Sequence, residues 1–185
     1  MKRVSDQFNV TSADGTITTV QVTINGTNDA AVLSSASVTL AETNAALSTG
    51  GTLTITDVDN PATYVAQTNV AGTNGVFNIG TNGAWTYTAS SAHDDLKAGS
   101  INNDIFTVTS KDGTTSTITI TIIGSNDAAV MSSASETLTE TNEVLQTSGK
   151  LTISDADGVA EFNAVTVPGN FGSVKIDATG AWTYT

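Results

Sequence analysis

Asp104-Ile105-Phe106-Thr107-Val108-Thr109-Ser110-Lys111-Asp112-Gly113-Thr114, followed by Thr115 to Ile123 (TSTITITII), decides the fold. Apolar residues alternate with polar ones on both sides of Asp112-Gly113, with Phe106 and Val108 before it and Ile118, Ile120 and Ile122 after it. A period of two marks half-buried strands with a polar outer face, and an Asp-Gly step supplies the positive φ of a tight hairpin turn. The same pattern stands 98 residues earlier, from Asp6 through Phe8, Val10, Ser12, Asp14 and Gly15 to Val20, Val22 and Ile24. Self-similarity at a fixed spacing is the signature of an array of one folding unit.

The register extends outward from the hairpin. Asn28-Asp29-Ala30-Ala31-Val32 returns as Asn126-Asp127-Ala128-Ala129-Val130, Glu42-Thr43-Asn44 as Glu140-Thr141-Asn142, and Asp57 and Asp59 as Asp155 and Asp157. Gly83-Ala84-Trp85-Thr86-Tyr87-Thr88 matches Gly180-Ala181-Trp182-Thr183-Tyr184-Thr185 at 97, so a loop between residues 60 and 75 has lost one residue in the later copy. Within one copy the pattern predicts strands at Val32–Leu40 (split), Leu53–Thr56, Tyr64–Thr68, Gly75–Ile79, Ala84–Thr88, Ile105–Ser110 and Ser116–Ile123, with a single helical turn in Ser90–Gly99. The expected fold is all-β: tandem seven-stranded antiparallel sandwich modules of the Ig-like or cadherin-like kind. Residues 30–129 form a complete module, 1–29 supply strands six and seven of one copy, and 130–185 supply strands one to five of the next.

Composition limits what such modules do. The 185 residues carry 18 acidic and 6 basic side chains, a formal charge of -12 and no cysteine. So acidic a surface repels phosphate backbones and anionic lipid, which argues against nucleic acid and the membrane surface as partners. It leaves carboxylates in search of cations. Without cysteine there is no disulfide framework, thiolate metal site or thiol nucleophile. No apolar run approaches the roughly 18 residues of a membrane span, and the polar N-terminus does not have the pattern of a signal peptide. Either the export signal is expected elsewhere in a larger protein, or this is an excised piece of one.

Gly83-Ala84-Trp85-Thr86-Tyr87, the Asp-x-Phe-x-Val-Thr-Ser-x-Asp-Gly-Thr hairpin, the Ile-x-Gly-x-Asn-Asp-Ala junction and Leu53-Thr54-Ile55-Thr56-Asp57-Val58-Asp59 together resemble VCBS repeats. These are cadherin-like modules strung in tandem in very large bacterial surface adhesins, many of them exported by type I secretion. The resemblance covers nearly the whole chain in two registers. It departs at Ala30-Ala31 and Ala128-Ala129, where the family pattern commonly shows Ala-Pro. It implies an extracellular, cell-surface structural repeat, acting as a spacer or fibre in adhesion or biofilm.

The acidic motifs carry the expected chemistry. Strand directions in a seven-stranded sandwich bring Glu42, with Asp94, Asp95 or Asp104, to the end of one module, Asn126 and Asp127 to the linker, and Asp155 and Asp157 to the start of the next. A hard cation with six to eight oxygen ligands suits that set, and Ca2+ suits it better than zinc, which would want cysteine or more than the single His93. By the resemblance, comparable Glu, Asp-x-Asp and Asn-Asp positions clamp the junctions of cadherin-like modules. The ligand set is therefore Asn28, Asp29, Glu42, Asp57, Asp59, Asn126, Asp127, Glu140, Asp155 and Asp157. The same motifs are also ordinary turn formers without any metal.

Other features point elsewhere. Trp85 with Tyr87, and Trp182 with Tyr184, share a strand face and would stack on a surface glycan if exposed, or fill the sandwich core if buried. His93 beside Asp94 and Asp95 is a crossover residue, since adjacent side chains seldom face one another. Asn9-Val10-Thr11 and Asn25-Gly26-Thr27 match glycosylation sequons, which Asn- and Thr-rich sequences produce by chance. Without a nucleophile elbow, phosphate loop or His-Glu-x-x-His, the chain is not expected to be an enzyme. Partners are neighbouring repeats or copies of itself, including a head-to-tail filament in which residues 1–29 complement 130–185 of a neighbour.

Overall fold

In the computed structural model, which describes residues 2–185, both Asp-Gly steps turn the chain as the alternation requires. Gly15 and Gly113 hold φ of 85° and 95°, a region a side chain would strain. The first hairpin pairs β1 (Arg3–Thr11) with β2 (Ile17–Asn25) from Arg3↔Asn25 to Thr11↔Ile17. The complete repeat follows as β3 (Val32–Leu33), β4 (Ala36–Ala41), β5 (Ser48–Thr52), β6 (Ile55–Thr56), β7 (Gln67–Ala71), β8 (Gly75–Ile79) and β9 (Ala84–Ala89). It closes with the second hairpin, β10 (Ile101–Thr109) and β11 (Thr115–Ile123). Beyond it lie β12 (Val130–Met131), β13 (Thr147–Lys150), β14 (Ile153–Ser154), β15 (Val165–Pro168), β16 (Ser173–Ile176) and β17 (Ala181–Tyr184). The protein is all-β; among the described residues there is no helix, and so none long and apolar enough to cross a membrane.

Two sheets enclose the core of the complete repeat. One is ordered β5-β9-β8-β7, the other β10-β11-β4. Phe77, Ile79, Trp85 and Tyr87 point inward from the first, and Phe106, Val108, Ile118 and Ile120 from the second. Phe106 stacks on Phe77 at 4.6 Å between ring centroids and meets Tyr87 at 6.0 Å. β4 lies beside β11 and runs the same way: the Ser116 hydroxyl donates to the Ser34 carbonyl at 2.9 Å near one end, and the Glu42 amide to the Ile123 carbonyl at 2.8 Å at the other.

Three elements differ from the expected strand map. β5 contains Gly50-Gly51, residues usually depleted in strands, because it lies under Trp85. Gly51 pairs with Trp85, and a Cβ there would stand 3.2 Å from the indole; Gly149 repeats the arrangement at 2.8 Å from Trp182. The third strand is broken at its start, where Tyr64 makes one bridge to Ser110 and pairing resumes only at Gln67. Asn69, at φ 53°, kinks this strand while its amide donates to the Asn78 side chain at 2.8 Å. The crossover 90–99 has no helical turn, only hydrogen-bonded turns such as Leu96 N–H to the His93 carbonyl at 2.9 Å.

In space the chain forms two compact units. The first comprises residues up to Leu40, Ala46–Ser91 and Asn102–Thr121; the second comprises Ala41–Ala45, Ala92–Ile101 and Ile122–Thr185.

Candidate metal centre

Within the second unit the chain gathers acidic side chains from three distant stretches. Glu42 follows β4 directly, and its amide is fixed to Ile123, so its side chain turns toward the linker that leaves β11. Oε2 accepts the Ser125 hydroxyl at 2.6 Å and the Ser125 amide at 3.2 Å. Oε1 is buried without a partner. Asp127 is buried in the linker, with its amide donating to Asp157 Oδ1 at 3.2 Å and its own Oδ2 unpartnered. Asp94 comes from the crossover, half-buried, with Oδ1 likewise unpartnered. Glu42, Asp94 and Asp127 each bring one carboxylate oxygen within 4.8 Å of the others.

Elementary electrostatics makes that arrangement costly by itself. Buried carboxylate oxygens without donors forfeit their hydration, and like charges in a shared site oppose ionisation. Burial, followed by the charges of Glu42, Asp94 and Asp157, pushes the Asp127 carboxyl up, against the Asn44 side chain that lowers it. His93, just before Asp94, holds φ 67°, a left-handed conformation costing on the order of 1–3 kcal/mol in a non-glycine residue. A cation with oxygen ligands offsets the lost hydration and the repulsion among the carboxylates. The donor set is all oxygen, so it fits Ca2+ and offers zinc no nitrogen or sulfur.

Asp155 and Asp157 stand beside this cluster in different roles. Asp155 Oδ1 caps a turn by accepting the amides of Asp157 at 3.3 Å and Gly158 at 2.7 Å, while lining a cleft with Asn44, Asp94 and Asp127. Asp157 holds the linker through Asp127. The Asn126 side-chain amide is spent on the Asp127 carbonyl at 2.7 Å.

The first unit repeats part of this grammar 98 residues earlier. The Asp29 amide donates to both oxygens of Asp59 at 3.4 Å, as Asp127 does to Asp157. Asp57 Oδ1 accepts the amides of Asp59 at 3.0 Å and Asn60 at 2.8 Å, and its Oδ2 is buried and unpartnered. The Asn60 side-chain amide donates to the side-chain oxygen of Asn28. Glu140 is exposed, in contrast to its counterpart Glu42, and lies in neither group. Asp104 is satisfied elsewhere in the core, accepting the amides of Thr73 at 2.7 Å and Asn74 at 3.0 Å and the Tyr87 hydroxyl at 2.9 Å. Asp95 is exposed. The cluster member sequence could not single out is Asp94, because nothing in the irregular 90–99 crossover predicts which of two adjacent aspartates turns inward.

Trp85 is 4% exposed and Tyr87 is buried with it, so this pair belongs to the core and presents no sugar-stacking face. Asp112, in the hairpin turn, ties the turn to the linker through the Ala31 amide at 2.8 Å. The Ser110 hydroxyl, then the Thr114 and Ala31 amides, hold its carboxyl well below the usual carboxylate range. Its copy Asp14 is lowered to about 2, first by the Ser12 hydroxyl and then by the Thr16 amide. A lowered folded-state pKa means that the unfolded chain binds the proton more readily, so stability is full above the unfolded value of about 4 and is lost as pH falls through the folded one. Thermal melts at falling pH are expected to decline below about pH 4, with a shallower slope in Asp112→Asn.

Residues 28–124 match the family described as bacterial cadherin-like domain. No curated protein matches the chain. Among solved structures it is similar to the protocadherin gamma B4 extracellular domain, at 13% identity and a TM-score of 0.47, over 97% of this chain and 36% of that one. It is also similar to protocadherin gamma B2 extracellular cadherin domains 1–5, at 15% identity and 0.47, over 100% of this chain and 45% of that one. The chain thus spans less than half the length of either.

Proposed function

Because the chain belongs to the bacterial cadherin-like domain family, a non-enzymatic adhesion-type fold, we propose that it is an extracellular repeat of a bacterial surface adhesin or biofilm protein, of the VCBS type, stiffened at its junctions by Ca2+. Its work in this reading is mechanical and no reaction is catalysed. The repeats divide as 1–29, 30–129 and 130–185. The observation that carries the calcium reading is the convergence of three unpartnered carboxylate oxygens, those of Glu42, Asp94 and Asp127.

Glu42 and Asp94 belong to the complete repeat, Asp127 to the linker, and Asp155 and Asp157 to the following repeat. Bound Ca2+ supplies positive charge to oxygens that otherwise repel one another. Glu42 is oriented for that role by Ser125, and Asp127 by the amide lock to Asp157. Asn28, Asp29, Asp57 and Asp59 form the corresponding set one repeat earlier. With the cation absent, repulsion loosens the linker; with it present, the ion ties Glu42 and Asp94 to Asp127 in the linker, whose amide is held by Asp157 of the following repeat.

Small-angle scattering with calcium and with chelator tests this directly. The distribution of interatomic distances is expected to broaden on chelation and narrow again on adding calcium back. Identical profiles under both conditions would remove the calcium reading and leave the adhesion-type repeat standing.

A further inference from the structure

Inside the complete repeat, β10 stands at the end of its sheet in the order β10-β11-β4, so its outer side has no neighbouring strand. The chain covers that side only next to the hairpin. Tyr64 bridges Ser110, the Val65 amide donates to the Thr109 carbonyl at 2.8 Å, and the Gln67 side chain donates to the Thr107 carbonyl at 3.1 Å. From there the chain leaves β10 and pairs as β7 with β8. Successive residues of a strand turn their N–H and C=O groups to opposite sides, so Thr107 and Thr109 fix the parity. The Gly124 amide, donating to the Ser100 carbonyl at 2.9 Å, marks the opposite side for even-numbered residues. Ile101, Asn103 and Ile105 thus present their backbone groups outward, and among the described residues no strand takes them. A cleft of about 480 Å³ runs along this edge, between residues 70–73 and 103–107.

Natural sheets protect such edges with lysine, proline or a bulge. Ile101–Thr109 contains no lysine, arginine or proline, and its single charge, Asp104, is turned into the core and satisfied there. The side chains on its solvent face include Ile101, 64% exposed, Asn103, and Ile105, 67% exposed. The strand does not require these isoleucines, because Arg3 and Gln7 hold the same positions in β1.

We propose that a second copy of this chain pairs its own β10 with this edge, antiparallel, about a two-fold axis at Asn103. In that register Asn103 meets Asn103 of the second copy, and each Ile101 meets Ile105 of the other chain. All three are pairs of outward-directed residues, as the hydrogen-bonded rungs of an antiparallel ladder require. Each isoleucine then stands opposite another on one face, the cross-strand contact that stabilises a sheet. Self-complementarity is what selects a second copy as the occupant. An axis at Ile105 would drive Ile101 against Thr109, whose edge Val65 already fills, whereas the axis at Asn103 sets apolar against apolar and amide against amide. Charge agrees with it. A formal charge of -12 opposes self-association elsewhere on the chain, but the paired segment turns no carboxylate outward. The same patch is used by both partners, so the contact is isologous and closes as a dimer.

Sedimentation of the full 185-residue chain over a concentration series, with calcium held constant, should show particles of twice the monomer mass. Ile105→Lys sets an ammonium opposite Ile101 at both ends of the pairing and should weaken the dimer about tenfold or more. Ile105 is exposed in the single chain, so the melting transition of the variant should match that of the unaltered protein and serves as the folding control. The absence of cysteine permits a second, positional readout. Across the axis the two Asn103 Cα atoms would stand about 5.5 Å apart, within disulfide reach, so Asn103→Cys should form a disulfide-linked dimer under mild oxidation. Thr117→Cys, exposed on β11 and away from the edge, should remain a free thiol under the same conditions. An unaltered chain that stays monomeric at every concentration overturns the proposal. So does an Ile105→Lys chain that dimerises as the unaltered one does, or Asn103→Cys cross-linking no faster than Thr117→Cys.

Discussion

Calcium at a hundredfold excess over its dissociation constant is expected to raise the melting temperature of the metal-free chain by roughly 10–20 °C. Binding confined to the folded state contributes about 2.7 kcal/mol at that excess, and each kcal/mol moves a domain of this size by about 4–8 °C. The physical source is the set of unpartnered oxygens on Glu42, Asp94 and Asp127. Asp127→Asn and Glu42→Gln separate this origin from a general salt effect, because their two consequences differ in sign. Each removes a charge from a repulsive group, so the chelated protein should become no less stable, while the calcium increment should vanish. Glu140→Gln, at an exposed position outside the cluster, should leave the increment intact. Calorimetry with calcium, with magnesium and with chelator measures all of these. Magnesium should act weakly, since it demands a tight octahedron and gives up water reluctantly. A melting temperature indifferent to calcium would sink the metal centre.

Phe106→Ala should cost the complete repeat about 3–5 kcal/mol, whereas Phe8→Ala, the same change 98 positions earlier, should move its unfolding transition by no more than about 0.5 kcal/mol in dilute solution. Phe106 stacks on Phe77 and touches Tyr87, so truncation leaves a cavity between two sheets that cannot collapse. Phe8 is 52% exposed and leaves no such void. Urea unfolding followed by tryptophan emission, with buried Trp85 as reporter, measures both. Equal losses in the two variants would mean that the first hairpin is packed into a core in solution as the second one is.

Much of the fold was legible because its determinants are local. Alternation at Ile118, Ile120 and Ile122 and the Asp112-Gly113 turn need no tertiary context to be interpreted. β5 was not legible by propensity, since Gly50-Gly51 reads as a loop until the indole above it is known. The recurrence of glycine at 51 and 149, in step with the recurring Gly-Ala-Trp-Thr-Tyr motif, is the signal that could have found it. In the candidate site the recurring motifs were visible, and their backbone locks repeat in the structure at Asp29–Asp59 and Asp127–Asp157. Identical sequence did not ensure identical environment. Glu42 is buried because Ile123 and Ser125 hold it, while Glu140 is exposed. Asp94 depends on a left-handed residue in an irregular crossover, for which no periodicity exists.

The side-by-side course of β4 and β11 has a bearing on how the repeat would carry load. β4 lies just after the entry of the complete repeat and β11 just before its exit, and the two run in one direction. Tension pulling entry and exit apart therefore drives these strands past each other lengthwise. Their hydrogen bonds are strained in shear, all at once, and do not peel open one after another from an end. Forced unfolding is governed by the rate of crossing the unfolding barrier, so this geometry can resist stretching beyond what equilibrium stability alone conveys. The Glu42–Ile123 bond stands at the end of that clamp, where its carboxylate also faces the candidate ion.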